Sequence, residues 1–316
     1  MIGTVYKSTG SWYSVKTSDG TFFDCRIKGK FRMEGIKSTN PIAVGDVVHF
    51  ELETQNDNQT GVIKAINPRQ NYIVRKSVNL SKQTHIIASN IDLVFLLVTI
   101  DNPPTFTSFI DRFLVTAEAY GIKVILVFNK MDAYGANPKN TVENLTQIYS
   151  SIGYECIKIS AIKAENLGPI KNMMKNKTSM FSGHSGIGKS TLVNAIEPSL
   201  NLKTKAISGS HQQGQHTTTF AEMFDLSFGA RIIDTPGIKG FGVVDIEPHE
   251  LDQYFPEFFA LKPQCKFHNC LHVHEPKCAI KTALDNKEIA PSRYQSYTQI
   301  LDGEDSIYRT DSYNHQ

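Results

Sequence analysis

The stretch FSGHSGIGKST, Phe181 to Thr191, constrains this chain more than any other. It spells G-x-x-x-x-G-K-[ST] from Gly183 to Ser190, after the β-prone run TSM and before LVNAI, which reads as helix. A glycine-rich turn between strand and helix lets successive backbone N–H groups converge on phosphate oxygens. Gly183, Gly186 and Gly188 permit backbone angles and a close approach that a Cβ would obstruct. His184, Ser185, Ile187 and Thr191 complete the candidate phosphate loop. Lys189 is spaced to reach the β- and γ-phosphates, and the Ser190 hydroxyl to ligate Mg²⁺.

Two further signatures sit at strand ends. NKMD, with Asn129, Lys130, Met131 and Asp132, follows the apolar run VILVF. Its carboxylate can accept two hydrogen bonds from guanine N1 and the N2 amine, a donor pair that adenine lacks. DTPG follows the strand-like ARII; Asp234 is expected to hold Mg²⁺ through water and the Gly237 N–H to sense the γ-phosphate. ISA, ending in Ser160 and Ala161, is a candidate loop behind the base. Together these predict a site for GTP and GDP with Mg²⁺. In Ras-like GTPases the phosphate loop comes first and N-K-x-D follows; here Asn129 precedes Gly183. Domain termini often lie close together, so a doubly wound sheet can be cut and rejoined elsewhere without losing its site. The expected core is therefore a circularly permuted Ras-like P-loop GTPase.

A chain of 316 residues has room for two or three domains. Its longest apolar run, IDLVFLLVTI, is too short to span a bilayer and carries Asp92, so no membrane is expected. MIGTVYKS has no apolar signal segment, which points to the cytoplasm. A net charge of +2 gives no global basic field, so nucleic acid must be met by local patches.

Residues 1–67 alternate five short β-prone runs with Gly, Asp and Asn turns, the pattern of a small closed barrel, an OB-fold. Arg26, Lys28, Lys30 and Arg32 fall at alternate positions on one face, with Trp12, Tyr13 and Phe31 as candidate stacking platforms for RNA. The competing reading is a solvated strand face with the aromatics in the core. Residues 68–90 read as a basic linker whose Arg69, Arg75, Lys76 and Lys82 either touch phosphate or merely solvate it.

From 91 to 243, strands and helices alternate, which indicates a mostly parallel sheet covered on both faces. The polar loop LKTKAISGSHQQGQHTTTF has the composition of a mobile switch. One of Thr217, Thr218 and Thr219 should supply the second protein ligand to Mg²⁺; Thr218 is favoured. The position after DTPG, a water-orienting glutamine in Ras-type enzymes, is Ile238. An aliphatic side chain cannot polarise water, so unaided hydrolysis should be slow. His216, beside the switch threonines, either positions that water or simply packs in its loop, in which case a partner must help.

Residues 244–316 form a mostly helical unit around Cys265, Cys270, His272 and Cys278 in a C-x4-C-x-H-x5-C arrangement. Three thiolates and one imidazole satisfy tetrahedral Zn²⁺ with no open position, so the site should be structural. His268 and His274 compete with His272 for the imidazole role, and His274 could replace it on spacing alone.

This set of motifs, in this order and joined to that cysteine spacing, resembles the RsgA (YjeQ) family of small-ribosomal-subunit-dependent GTPases over nearly the whole chain. The resemblance implies a multidomain α/β protein: an N-terminal OB-fold β-barrel, a permuted GTPase core and a C-terminal zinc-binding domain. It implies late maturation of the small ribosomal subunit, turnover stimulated by that subunit, and ribosomal RNA bound by the flanking domains. His216 matches the family's candidate catalytic histidine, with Lys189 and Thr218 in the same catalytic set. A monomer is expected. One departure is Gln215, where many members carry arginine, and the polar tail after Asp302 is not basic. A rival from another class is an RNA-binding assembly scaffold in which nucleotide only locks the conformation.

Overall fold

The structure is a computed structural model that describes residues 1–27, 41–53, 60–76, 84–201, 221–234 and 246–303. Period-two alternation in the first third produces five strands: β1 (Ile2–Ser8), β2 (Tyr13–Thr17), β3 (Phe22–Ile27), β4 (Val47–Leu52) and β5 (Thr60–Ile66). They pair in the order β1-β2-β3-β5-β4, and β4 returns to β1, so the sheet closes. Only β3 and β5 run parallel. Val5, Tyr13, Val15, Phe23, Cys25, Val48, Phe50 and Ile63 fill the interior. Closure leaves no unpaired edge to aggregate.

Tyr13 is 1% exposed and belongs to this core, so it is no stacking platform. Trp12 is 43% exposed, with the Arg26 guanidinium 5.7 Å from its ring centre. Arg26 also donates to both carboxylate oxygens of Glu53, at 2.8 and 2.9 Å. Lys28, Lys30, Phe31 and Arg32 lie outside the described residues.

The 68–90 segment contains an antiparallel pair, β6 (Tyr72–Lys76) and β7 (Thr84–Ser89), with Ala88 bridged to Val44 of the barrel. Arg69 corrects the sequence reading, for it neither faces phosphate nor solvates a linker. Its Nε and Nη2 donate to the two Asp46 oxygens, each at 2.6 Å, with side-chain exposures of 5% and 0%. Asp46 also accepts from the Ala43 N–H and the Ser89 hydroxyl, so a carboxylate sealed in the seam requires a cation. Gly45 turns the chain here at φ +96°, where a Cβ would stand 2.1 Å from the Ser89 carbonyl oxygen. The Lys82 position and the side chains of Arg75 and Lys76 lie outside the described residues.

The second sheet runs β10 (Glu155–Lys158), β9 (Val124–Phe128), β8 (Leu93–Val98), β11 (Thr178–Ser182), β13 (Arg231–Asp234), β12 (Glu222–Asp225). All are parallel except β12. β8 and β9 are buried along their whole length, as strands covered on both faces must be. β11, which feeds the phosphate loop, lies inside the sheet beside β8 and β13 although two other strands of it, β9 and β10, come earlier in the chain. That placement is the circular permutation.

Helices α1 (Thr107–Ala119) and α2 (Ala136–Ser151) cover one face, α3 (Gly168–Met174) and α4 (Lys189–Ile196) the other. β1 of the barrel pairs with β12, so the two sheets are continuous. Asp225 reinforces the seam, accepting from Tyr6 at 2.7 Å and Lys16 at 2.5 Å.

Helices α5 (Pro256–Leu261), α6 (Ala279–Asp285) and α7 (Pro291–Leu301) build the last unit. Its core of Leu251, Phe255, Phe258, Ile280 and Tyr297 takes in Val115 of α1. Among the described residues no helix is long and apolar enough to cross a membrane.

Candidate nucleotide site and metal centre

The phosphate loop leaves β11 at Gly183 (φ +140°), turns at Gly186 (φ +80°) and enters α4 through Gly188 (φ +100°). A Cβ on Gly183 would stand 2.9 Å from the Leu97 carbonyl oxygen, and one on Gly188 would stand 2.5 Å from Asn129 Nδ2. Glycine at both positions is thus fixed by sterics as well as dihedrals. Lys189 Nζ donates to the carbonyls of Gly183 and His184, at 2.5 and 2.9 Å, which holds the ammonium inside the loop. Burial lowers its pKa, with Asp234 opposing the shift. A desolvated cation confined this way suits a phosphate chain.

Asn129 is the joint of the site. Its Nδ2 donates to the Ile187 carbonyl at 2.9 Å, and its Oδ1 accepts from the Ala161 N–H at 3.0 Å. One buried amide therefore fixes the phosphate loop and the base loop to the strand between them. Lys130, at φ +65°, donates to the carbonyls of Asn102 and Gly186. Ser160 donates its hydroxyl to Asp132 Oδ1 at 2.5 Å, and its Oγ accepts from the Lys163 N–H at 3.2 Å. The Asp132 carboxylate is thereby oriented before any ligand arrives. The Met131 N–H reaches the Ile159 carbonyl at 3.1 Å and completes the turn.

On the other side, Lys189, Ser190 and Asp234 line one pocket with Phe181, Val193 and Ile232. A hydroxyl, a carboxylate and a lysine at one mouth can bind a phosphate-bound divalent cation. His184 packs its ring on Phe109 of α1, with centroids 3.8 Å apart. Burial, then Lys189, lowers its pKa, so the imidazole is neutral at pH 7. His216, Thr218, Gly237, Gln215 and Ile238 lie outside the described residues.

Cys265, Cys270, His272 and Cys278 converge, with their ligand atoms all within 4.8 Å of one another. His272 Nδ1 lies 3.7 Å from Cys265 Sγ and 3.4 Å from Cys278 Sγ. Bonds of about 2.3 Å to sulfur and 2.0 Å to nitrogen at tetrahedral angles separate neighbouring donors by roughly 3.5–3.8 Å, so the residues fit a tetrahedral cation. Burial pushes the Cys270 thiol up to about 12 and raises Cys278, so thiolates here need a cation to balance them. His268 and His274 are exposed and outside the cluster.

Two contributors escaped the sequence reading. Asp252 holds His272 Nε2 at 3.1 Å and so aims Nδ1 at the sulfurs. Phe109 backs the phosphate loop. Neither stands at a diagnostic spacing from the motif it serves, and no sequence signal marks them.

The family model described as RsgA GTPase matches residues 66–244, and that described as RsgA N-terminal domain matches 2–63. The chain is 67% identical over 99% of both chains to the small ribosomal subunit biogenesis GTPase RsgA of Christiangramia forsetii. It is 51% identical to the RsgA of Bacteroides fragilis, covering 98% of this chain and 99% of that one. The crystal structure of YjeQ from Thermotoga maritima superposes with a TM-score of 0.77 at 35% identity, over 96% of this chain and 97% of that one. YloQ, a circularly permuted GTPase, gives 0.73 at 29%, over 99% and 96%.

Proposed function

The chain belongs to the RsgA family of GTPases, and from that premise we propose that it hydrolyses GTP as a timing device in biogenesis of the small ribosomal subunit. The single observation that carries the site assignment is the Asn129 amide, which binds a phosphate loop and a guanine loop into one unit.

Asn129, Lys130, Met131, Asp132, Ser160 and Ala161 hold guanine, with Asp132 taking its N1–H and N2 amine. Gly183, His184, Ser185, Gly186, Ile187, Gly188, Lys189, Ser190 and Thr191 hold the phosphates. Ser190, Thr218 and Asp234 would hold Mg²⁺, which supplies charge stabilisation at the β- and γ-phosphate oxygens. The Gly237 N–H reads the γ-phosphate. His216 orients water for in-line attack at phosphorus, as an aliphatic Ile238 cannot. Cys265, Cys270, His272 and Cys278 hold one structural Zn²⁺, and the donor types and their spacing support that metal.

The division of labour follows the units: a barrel over 1–67 and a zinc domain over 244–316 grip ribosomal RNA, while 91–243 turns over nucleotide, with 68–90 between them. The protein works as a cytoplasmic monomer on the small subunit. The exposed Trp12–Arg26 pair on the barrel supports RNA contact there.

The test is GTP turnover by the purified chain with and without small ribosomal subunits. A large stimulation is expected, since a group that completes a hydrolytic site in trans is worth about 10³–10⁵ in kcat. Equal rates would replace the timing reading with an assembly scaffold whose turnover is incidental.

A further inference from the structure

Helix α1 makes three sets of contacts, and Phe109, one turn before Phe113, lies at the rim of the side that meets the sheet core. Ile110, Phe113, Leu114 and Ala117 pack on the nucleotide-binding sheet. Asp111 and Val115, one turn apart and so on one side of the helix, face the C-terminal unit. Phe109, in the first turn, reaches the phosphate loop and sets its ring 3.8 Å from that of His184, at 38°.

The attachment to the C-terminal unit is a buried charge cluster. Arg293 of α7 is 1% exposed and donates to Asp111 Oδ1 at 2.8 Å and to the two Glu257 oxygens at 2.7 and 3.1 Å. Tyr149 of α2 donates to the same Asp111 oxygen at 2.8 Å. Four helices, two from each unit, thus share one buried charge cluster. Breaking such a cluster strands an uncompensated charge, so a displacement of the C-terminal unit is carried into α1 rather than absorbed at the junction. The cysteine–histidine cluster hangs on the same body, since Tyr294 and Tyr297 of α7 donate to the carbonyls of His272 and Leu271 at 2.8 and 3.1 Å.

We propose that Phe109 is a positioning residue of the phosphate loop, through which docking of the C-terminal domain on the ribosomal particle is relayed along α1 to His184. Force on the cysteine–histidine unit passes through Arg293 to Asp111, shifts α1, and re-sets the loop backbone that cradles phosphate and carries the Lys189 contacts. This route uses none of the switch segments. Packed interiors transmit such shifts because they are dense and poorly compressible. The inference rests on the stimulated-turnover reading above and assigns a path to it.

The experiment measures kcat and KM for GTP, with and without purified small subunits, in wild type, Phe109→Ala and Phe109→Tyr. Phe109 is partly buried at the rim of the sheet core, and truncation leaves the contacts of Ile110, Phe113, Leu114 and Ala117 in place. The expected result is a loss of about tenfold in the ratio of stimulated to basal kcat for Phe109→Ala, with subunit affinity kept and the ratio restored in Phe109→Tyr. A second variant, Arg293→Lys, keeps the charge but loses the bidentate fork, and should reduce the same ratio without altering Phe109. If wild type is stimulated and Phe109→Ala is stimulated equally, the relay is overturned and the timing function stands. If wild type is not stimulated at all, the timing function itself fails and the relay falls with it.

Discussion

The imidazole Nε2 of His272 lies 3.1 Å from Oδ2 of Asp252, and both residues are shut from solvent, at 0% and 2% exposure. Asp252 is itself paired with Lys262, whose Nζ stands 2.6 Å from that same oxygen. The carboxylate therefore fixes which ring nitrogen faces the three sulfurs. Such outer partners orient a ligand and raise its basicity. Asp252→Ala is expected to weaken binding of the proposed zinc about 10–100-fold, measured by chelator competition against zinc-loaded wild type. An unchanged metal affinity would show that Asp252 serves only the packing of α5.

The proposed guanine contact makes Asp132 the residue that would choose the base. Its carboxylate is set by the Ser160 hydroxyl at 2.5 Å, so its orientation does not depend on ligand. Two charge-assisted hydrogen bonds to guanine are worth about 1.5–3 kcal/mol each. Asp132→Asn turns part of the acceptor into a donor and should cost at least ~10²-fold in GDP affinity. Xanthine nucleotides, which present a carbonyl where guanine has its amine, should gain. Titration of both nucleotides against the variant decides it; an unaltered preference for guanine would remove Asp132 from base recognition.

Arg69 and Asp46 give a prediction that separates two roles. Removing one partner of a buried ion pair typically costs about 3–5 kcal/mol. Arg69→Met should therefore lower the unfolding midpoint sharply. Asp46→Ala should lower it further, because the Ala43 N–H and Ser89 hydroxyl also lose their acceptor. Denaturant melts test both. A variant with wild-type stability and weakened RNA binding would restore the phosphate-facing reading of Arg69.

That correction shows what a sequence can and cannot display. The phosphate loop, the five barrel strands and the cysteine spacing are written in local pattern: glycines at fixed offsets, alternating burial, ligands a few residues apart. Each is enforced by neighbours along the chain. Arg69 looks like any basic residue after a proline, because its partner Asp46 and the Ser89 hydroxyl come from distant segments, the turn before β4 and the end of β7. Phe109 reads as one more apolar position of an amphipathic helix, although its ring ends on a loop far along the chain. The rival His274 satisfies spacing as well as His272 does; only folding leaves it and His268 exposed and turns His272 inward. Pairings set by the fold over long separations leave no periodic trace.

Glu197 supplies a prediction about pH. It follows α4 and ties that phosphate-loop helix to the β12–β13 turn, accepting from the Ser227 N–H at 2.8 Å and the Ser199 hydroxyl at 2.7 Å. Hydrogen bonds from Ser227, then Ser199, pull its carboxyl from 4.5 down to about 2. A folded pKa below the unfolded one means that the unfolded chain binds the proton more readily. The stabilisation is therefore complete above pH 4.5 and is lost as pH falls from there through about 2. Glu197→Gln keeps the shape and removes the ionisation. At neutral pH the variant should melt below wild type, and the gap should close as both are acidified across that window. Thermal melts at matched ionic strength measure it. A gap that stays constant with pH would mean that the side chain acts through its shape alone, and the clamp on the phosphate-loop helix would not depend on charge.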